Sequence, residues 1–249
     1  METEIQEKST GGWLLILGIF AILLSIRLVI TVISDASYFP INVLKIEAPY
    51  QNISRVEIQN VFTPFISYSF LMFPEKKVVK ELKKNQWIED VKIKKIWPDQ
   101  IVVQIFEQIP VAIWNNMYVN SKGVLFNPQT DKKIDTLPIM IGPEYHQKDV
   151  LHIYKKLSKL LKAQDLTILK IKLRDNLSWD ITLQNGVLIR LGKRNIEKRV
   201  MRFCEVYPKL FATTFDQVNT IDLRYAKGMA VNWKKTNDQI NSNPKNVMG

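Results

Sequence analysis

The stretch WPDQIVVQIFEQIPVAIW, residues 97–114, decides how this chain is read. Ile101, Val103 and Ile105 alternate with Val102, Gln104 and Phe106, the two-residue period of a strand with a buried face. The Pro98-Asp99 pair just before it makes a turn, because proline presets the backbone angle and aspartate accepts local hydrogen bonds. A strand at 91–96 enters that turn, so the two form a hairpin. Pro110 has no N–H to give to a ladder and marks where the strand leaves its domain. A domain boundary therefore falls near residues 109–111. Glu107, beside this exit, is placed to fix the corner between domains.

Upstream, residues 41–49 read as a first strand. Ser54 and Glu57 have the spacing of a capping box, with Ser54 as N-cap. Ile58, Val61, Phe62 and Phe65 then fall on one helical face. Pro74 suits the first turn of a second helix, which carries Val78, Val79 and Leu82 inward. Lys76, Lys77, Lys80, Lys83 and Lys84 point outward, as a solvated face rather than a binding patch. Residues 41–110 thus have the order β-α-α-β-β, a sheet with two helices on one face.

Before this domain, residues 13–33 form an apolar run with one charge, Arg27. At 1.5 Å per residue it is about 31 Å long, the thickness of a bilayer core. A cleaved signal peptide is the alternative, since Ser34-Asp35-Ala36 loosely resembles a cleavage site. The acidic leader (Glu2, Glu4, Glu7) and the length of the run favour an uncleaved anchor after a short tail, residues 1–12. Lys and Arg are balanced across the two flanks, so charge does not orient it.

Downstream, residues 111–233 read as a β-rich domain with an antiparallel sheet and flanking helices. Ser121-Lys122-Gly123 and Asn185-Gly186 are hairpin turns. Residues 149–162 form a helix. Leu169, Ile171 and Leu173 face inward on one strand, with Lys170, Lys172 and Arg174 outward. Trp179, Ile181 and Leu183 repeat the pattern, and Val187, Ile189 and Leu191 return it. Asn195 caps a helix over 196–207 that Pro208 curtails. Ile221, Leu223 and Tyr225 share a strand, 226–228 turn, and Met229, Val231 and Trp233 form the last strand. It lies either inside the sheet or at an edge, and an edge would offer unpaired N–H and C=O groups to another chain. Residues 234–249 read as a disordered tail.

The net charge of +11 is compatible with nucleic acid, but the basic residues are dispersed and no finger, basic zipper or RNP-like stretch occurs. One cysteine cannot close an internal disulfide, and two histidines cannot build the usual zinc sites. Cys204 reads as a small apolar side chain on a helix face. No Gly-rich phosphate loop or nucleophile elbow appears, and Asp149, Asp175, Asp180 and Asp222 fit capping or solvation. The reading is of a non-enzyme that uses no cofactor, binds no small-molecule substrate and holds no metal.

Three ordered blocks carry a resemblance. The first is residues 93–114, with Trp97, Pro98, Glu107, Pro110, Ala112 and Trp114. The second is SWDITLQNGVLIRLGK (178–193), and the third runs from KRVMRFCEVYPKL (198–210) to IDLRYAKGMAVNW (221–233). Together they resemble the FtsQ/DivIB family of bacterial cell-division proteins. The resemblance implies a cytoplasmic tail, one membrane helix, a POTRA domain and a β domain. The bulk would be periplasmic, in a type II inner-membrane protein at the septum. It implies a divisome scaffold that binds FtsB and FtsL, alongside other divisome membrane proteins, and links early to late division proteins. The family's FtsB site carries over to Arg224, Tyr225, Lys227, Gly228, Met229, Ala230 and Trp233, with Lys227 matching in position only. The alternative is a POTRA-bearing transport component that hands substrates to an outer-membrane barrel.

Overall fold

A computed structural model describes residues 11–128, 134, 136–211 and 213–234. The expected terminal tails lie outside the described residues, apart from Gly11, Gly12 and Lys234. The chain divides into two compact units, Met1–Gln108 and Ile109–Gly249.

The first unit begins with α1 (Gly11–Ser34), whose Leu15–Ser34 portion is long and apolar enough to cross a membrane. Two of its hydroxyls bond back into the helix: Ser25 donates to the Ala21 carbonyl at 2.8 Å and Thr31 to that of Arg27 at 2.9 Å. Then come β1 (Val43–Glu47), α2 (Arg55–Phe62), a 3-10 turn, α3 (Glu75–Leu82), β2 (Ile88–Ile96) and β3 (Gln100–Glu107). The sheet order is β1-β3-β2, with β1 parallel and β2 antiparallel to β3. Burial of Ile101, Val103 and Ile105 with Ile58, Phe62, Val78 and Leu82 makes the core. The POTRA order β-α-α-β-β is therefore present. Two local expectations differ. Ser54 stands at the N-cap of α2, but its hydroxyl makes no cap bond. Pro74 is the N-cap of α3 rather than a residue of its first turn.

Glu107 does a different task from the one its position suggested. Its buried carboxylate accepts from the N–H groups of Gln51 (2.9 Å) and Asn52 (2.8 Å) and from the Asn52 side chain. It holds the loop that leads into α2, within the first unit.

The second unit contains β4 (Pro110–Trp114), β5 (Met117–Asn120), β6 (Leu125–Phe126), β7 (Ile139–Ile141), α4 (Gln147–Lys162), β8 (Ile168–Leu173), β9 (Trp179–Leu183), β10 (Leu188–Gly192), α5 (Ile196–Leu210), β11 (Val218–Asp222) and β12 (Ala230–Trp233). All these strands join one sheet in the order β12-β11-β10-β9-β8-β7-β4-β5-β6. It is mixed where an antiparallel sheet was expected: β4–β7, β7–β8 and β10–β11 are parallel. One of these junctions, β4–β7, joins strands that are not consecutive in the chain, and the β7–β8 and β10–β11 links run through α4 and α5, as parallel pairs require. α4 and α5 pack on each other and on β7, β8 and β10.

Three residue assignments change. Leu169 is exposed and Ile168 is buried instead, because the β8–β9 register shifts between Ile168 and Lys170. Asp180 is buried and paired with Arg174, with 2.7 Å from Nε to the carboxylate, rather than solvated. α5 runs through Pro208 to Leu210. So near the C-terminus a proline forfeits a single helical hydrogen bond, and the Phe211 N–H to Tyr207 carbonyl bond (2.9 Å) still closes the last turn. Asn195 occupies the N-cap with φ of 56° and makes no side-chain cap bond.

Candidate functional site

β12 ends the sheet. Among the described residues it pairs only with β11, through Ala230–Asp222, Val231–Ile221, Asn232–Thr220 and Trp233–Val218. The Lys234 N–H donates to the Gln217 carbonyl at 2.7 Å. That bond makes Val218–Trp233 a non-hydrogen-bonded pair, so the N–H and C=O of Trp233 turn away from β11, toward the open side. By the alternation of a regular strand, those of Val231 do the same.

The strand is held to the body by its inner face. Val231 packs on the core beside Met229. The Trp233 ring lies 6.4 Å from that of Phe211, within a cluster that includes Phe203, Tyr207 and Phe215. Even so, Trp233 remains 47% exposed. The aromatic body is anchored while a broad edge stays free, the distribution of a residue suited to an interface.

Tyr225 was expected on a strand. It lies instead in the loop between β11 and β12, 59% exposed, because β11 ends at Asp222. The loop is built by arginines. Arg224 forks onto Asp222, with Nη2 at 2.6 Å and Nε at 2.9 Å, and its own N–H reaches the same carboxylate at 3.0 Å. This guanidinium holds the Asp222 carboxyl below the ordinary aspartate range against the opposing effect of partial burial.

Arg202 reaches up from α5 and donates to the carbonyls of Ala226 (2.6 Å), Tyr225 (2.9 Å) and Gly228 (3.1 Å). Arg199, one turn earlier, bridges the Leu191 and Arg224 carbonyls. Gly192 makes room for it: φ is +74°, and a Cβ there would stand 2.7 Å from Arg199 Nη1. Gly228 has the opposite surroundings, since a Cβ would meet nothing within 4 Å.

The structure thus brings Arg224, Tyr225, Lys227, Gly228, Met229, Ala230 and Trp233 into one loop-and-edge surface; all but Met229 are exposed. Sequence reasoning did not single out Arg199 and Arg202, which organise it. Their signal was present as KRVMR, two arginines one turn apart on the helix just before the last strands. Cys204 is half-buried on the same helix, its thiol pKa pushed up by burial and its sulfur 3.7 Å from the Leu160 carbonyl. That is the setting of a packed side chain, not of a nucleophile.

Two family models match the chain. Residues 39–108 match the POTRA domain, FtsQ-type, and residues 112–224 match the C-terminal domain of cell division protein FtsQ/DivIB. Among similar proteins is the cell division protein FtsQ of Aliivibrio fischeri, 34% identical over 218 residues, which are 86% of this chain and 85% of that one. The FtsQ of Coxiella burnetii is 29% identical over 78% of this chain and 81% of its own length. That of Escherichia coli is 33% identical over 59% of this chain and 55% of its own.

Proposed function

From the premise that this chain belongs to the FtsQ/DivIB family of cell division proteins, we propose that it is a non-catalytic scaffold that binds FtsB and FtsL. It is a single-pass membrane protein with one N-terminal apolar helix and a role in the divisome. On our reading that helix crosses the inner membrane, both folded units lie in the periplasm, and the complex gathers at the septum. Its work is to link early to late division proteins by holding partners, not by turning over a substrate.

One observation carries the reading: β12 is an edge strand with outward backbone groups, with an exposed aromatic on it, Trp233, and another, Tyr225, in the loop before it. An extended segment of FtsB adds to β12 as a tenth strand, its backbone pairing with Val231 and Trp233. Tyr225 and Trp233 grip its side chains, and Arg224 and Lys227 favour acidic residues in it. Edge strands are hazards unless covered, so a dedicated partner also explains why this one lacks a blocking proline.

The test compares Val231→Pro with Val231→Ala in capture of the FtsB–FtsL complex by the purified full chain. Proline is tolerated where a strand's N–H faces outward, and here it removes a donor only the partner would use. Capture lost in Val231→Pro but kept in Val231→Ala, with both proteins folded by circular dichroism, is the expected result. Full-strength capture by a folded Val231→Pro would refute strand addition. The barrel-transport alternative draws no support from the single POTRA match.

A further inference from the structure

The Ser69 hydroxyl donates to the carbonyl of Ile33, in the last turn of α1, at 2.6 Å. The Phe70 N–H reaches the Phe39 carbonyl at 2.8 Å, just past that helix. Ser69 itself is fully buried and also takes the Met72 N–H. The loop between α2 and α3 is therefore fastened to the end of the membrane helix. The β2–β3 turn joins the same end, because Asn42 bonds the Asp99 carbonyl through its N–H (3.1 Å) and the Asp99 carboxylate through its side chain (2.7 Å). Lys95 connects the two pieces by donating to the Leu71 carbonyl at 3.2 Å.

This end of the unit is ringed by large apolar side chains with no cover. Trp97 is 75% exposed, Tyr38 67% and Ile66 59%, joined by Leu71, Met72 and Ile96. On a surface bathed in water such a ring needs a partner. The helix supplies the identity of that partner. Leu15–Ser34 is 20 residues, about 30 Å at 1.5 Å per residue, which is the hydrocarbon thickness of a bilayer. Ile33 thus lies at the boundary between acyl chains and headgroups, and a side chain bonded to its carbonyl lies at the same depth. Trp and Tyr are the residues that prefer that depth, with apolar bodies in the lipid and polar tips in water.

We propose that this rim of the first unit is inserted into the headgroup and upper acyl region of the leaflet at the C-terminal end of α1. It is a lipid-binding surface, distinct from the β12 edge, and it rests on the reading of α1 as a membrane span. The unit lies down on its bilayer rather than standing clear on a tether.

The experiment uses the full chain in polymer-bounded discs of phosphatidylcholine and phosphatidylglycerol, with Cys204→Ser as background. Nitroxide labels go singly at Met72→Cys, Trp97→Cys, Leu23→Cys and Val56→Cys, and their relative access to oxygen and to a water-soluble nickel chelate is measured. Val56 is exposed beside the Glu107 end of β3, so it reports the far end of the unit. Labels at 72 and 97 should show oxygen-to-nickel ratios several-fold above that at 56 and below that at 23. Ratios at 72 and 97 equal to the ratio at 56, with 23 deep in lipid, would overturn the insertion alone. A water-like ratio at 23 would overturn the span and the insertion together. A second reading avoids cysteines: brominated phosphatidylcholine should quench the wild-type protein more than Trp97→Phe, and equal quenching would count against insertion.

Discussion

The guanidinium of Arg202 and the carbonyl of Gly228 are 3.1 Å apart, although 26 residues separate them in sequence. The same side chain also holds the carbonyls of Tyr225 and Ala226, so three carbonyls of one short loop hang on one cation. A loop of exposed residues would otherwise sample many conformations, and a guest strand would have to order it on arrival.

Arg202→Ala should therefore weaken capture of the proposed partner by about tenfold, the size of one lost charged hydrogen bond at ~1.5 kcal/mol. Amides of residues 224–229 should exchange faster by hydrogen–deuterium mass spectrometry, while those of β9 and β10 stay protected. Arg202→Lys should not restore binding, since a single ammonium cannot span carbonyls that a planar fork reaches together. Unchanged exchange in Arg202→Ala would show that the loop orders itself.

Tyr225→Ala and Trp233→Ala should separate affinity from stability. Tyr225 is exposed in its loop, so its loss should cost about 2 kcal/mol of binding, as a central aromatic does, with no change in melting temperature. Trp233 also packs on Phe211, so its loss should lower binding and stability together, the latter by about 1 kcal/mol. Calorimetric titration beside thermal melts checks both.

Glu107→Gln keeps the shape of the side chain but removes the charge that two backbone N–H groups share. Hydrogen bonds to a charged group contribute roughly 1.5–3 kcal/mol. The first unit should lose about 2 kcal/mol in urea unfolding, and partner capture by β12 should be unaffected. Equal stability of the two proteins would mean that neutral acceptance suffices to hold the 50–52 loop.

Asp222 sets the acid limit of the loop. Its folded pKa lies below the usual aspartate value because Arg224 favours the charged form. A depressed carboxylate adds stability above its unfolded pKa, about 3.9, and that contribution is lost as pH falls through the lower folded value. Stability from this pair should be flat at pH 5 and above and decline only below about 4. Asp222→Asn should remove it at neutral pH and flatten the acid limb. Carbon-13 titration of the Asp222 carboxyl, showing a midpoint at or above the usual range, would contradict the assignment.

Much of the first unit was readable because its signals are local. Pro98-Asp99, the alternation at 101–106 and the helical stripe at Ile58 and Phe62 each depend on neighbours within one turn. The second unit yielded less. β4 and its hairpin to β5 turn on Asn115 and Asn116, both in the left-handed region (φ 43° and 76°), without the glycine that usually signals such a turn. Leu169 faces out because of a bulge that no single strand reveals. Pro208 looked like a stop, yet sits where a helix is already running out of partners. The seven edge residues came from resemblance and the last strand's pattern. The arginines beneath them went unnoticed because their partners are carbonyls, which carry no residue-type signal.

The Ser69–Ile33 hydrogen bond has a mechanical meaning. A flexible stalk would let the rest of the first unit swivel freely, whatever α1 did. With the stalk latched at its root, a twist of the segment by one residue, about 100°, swings the first unit around with it. If α1 crosses the bilayer as proposed, a rotation imposed on it there reaches the first unit as a change of heading.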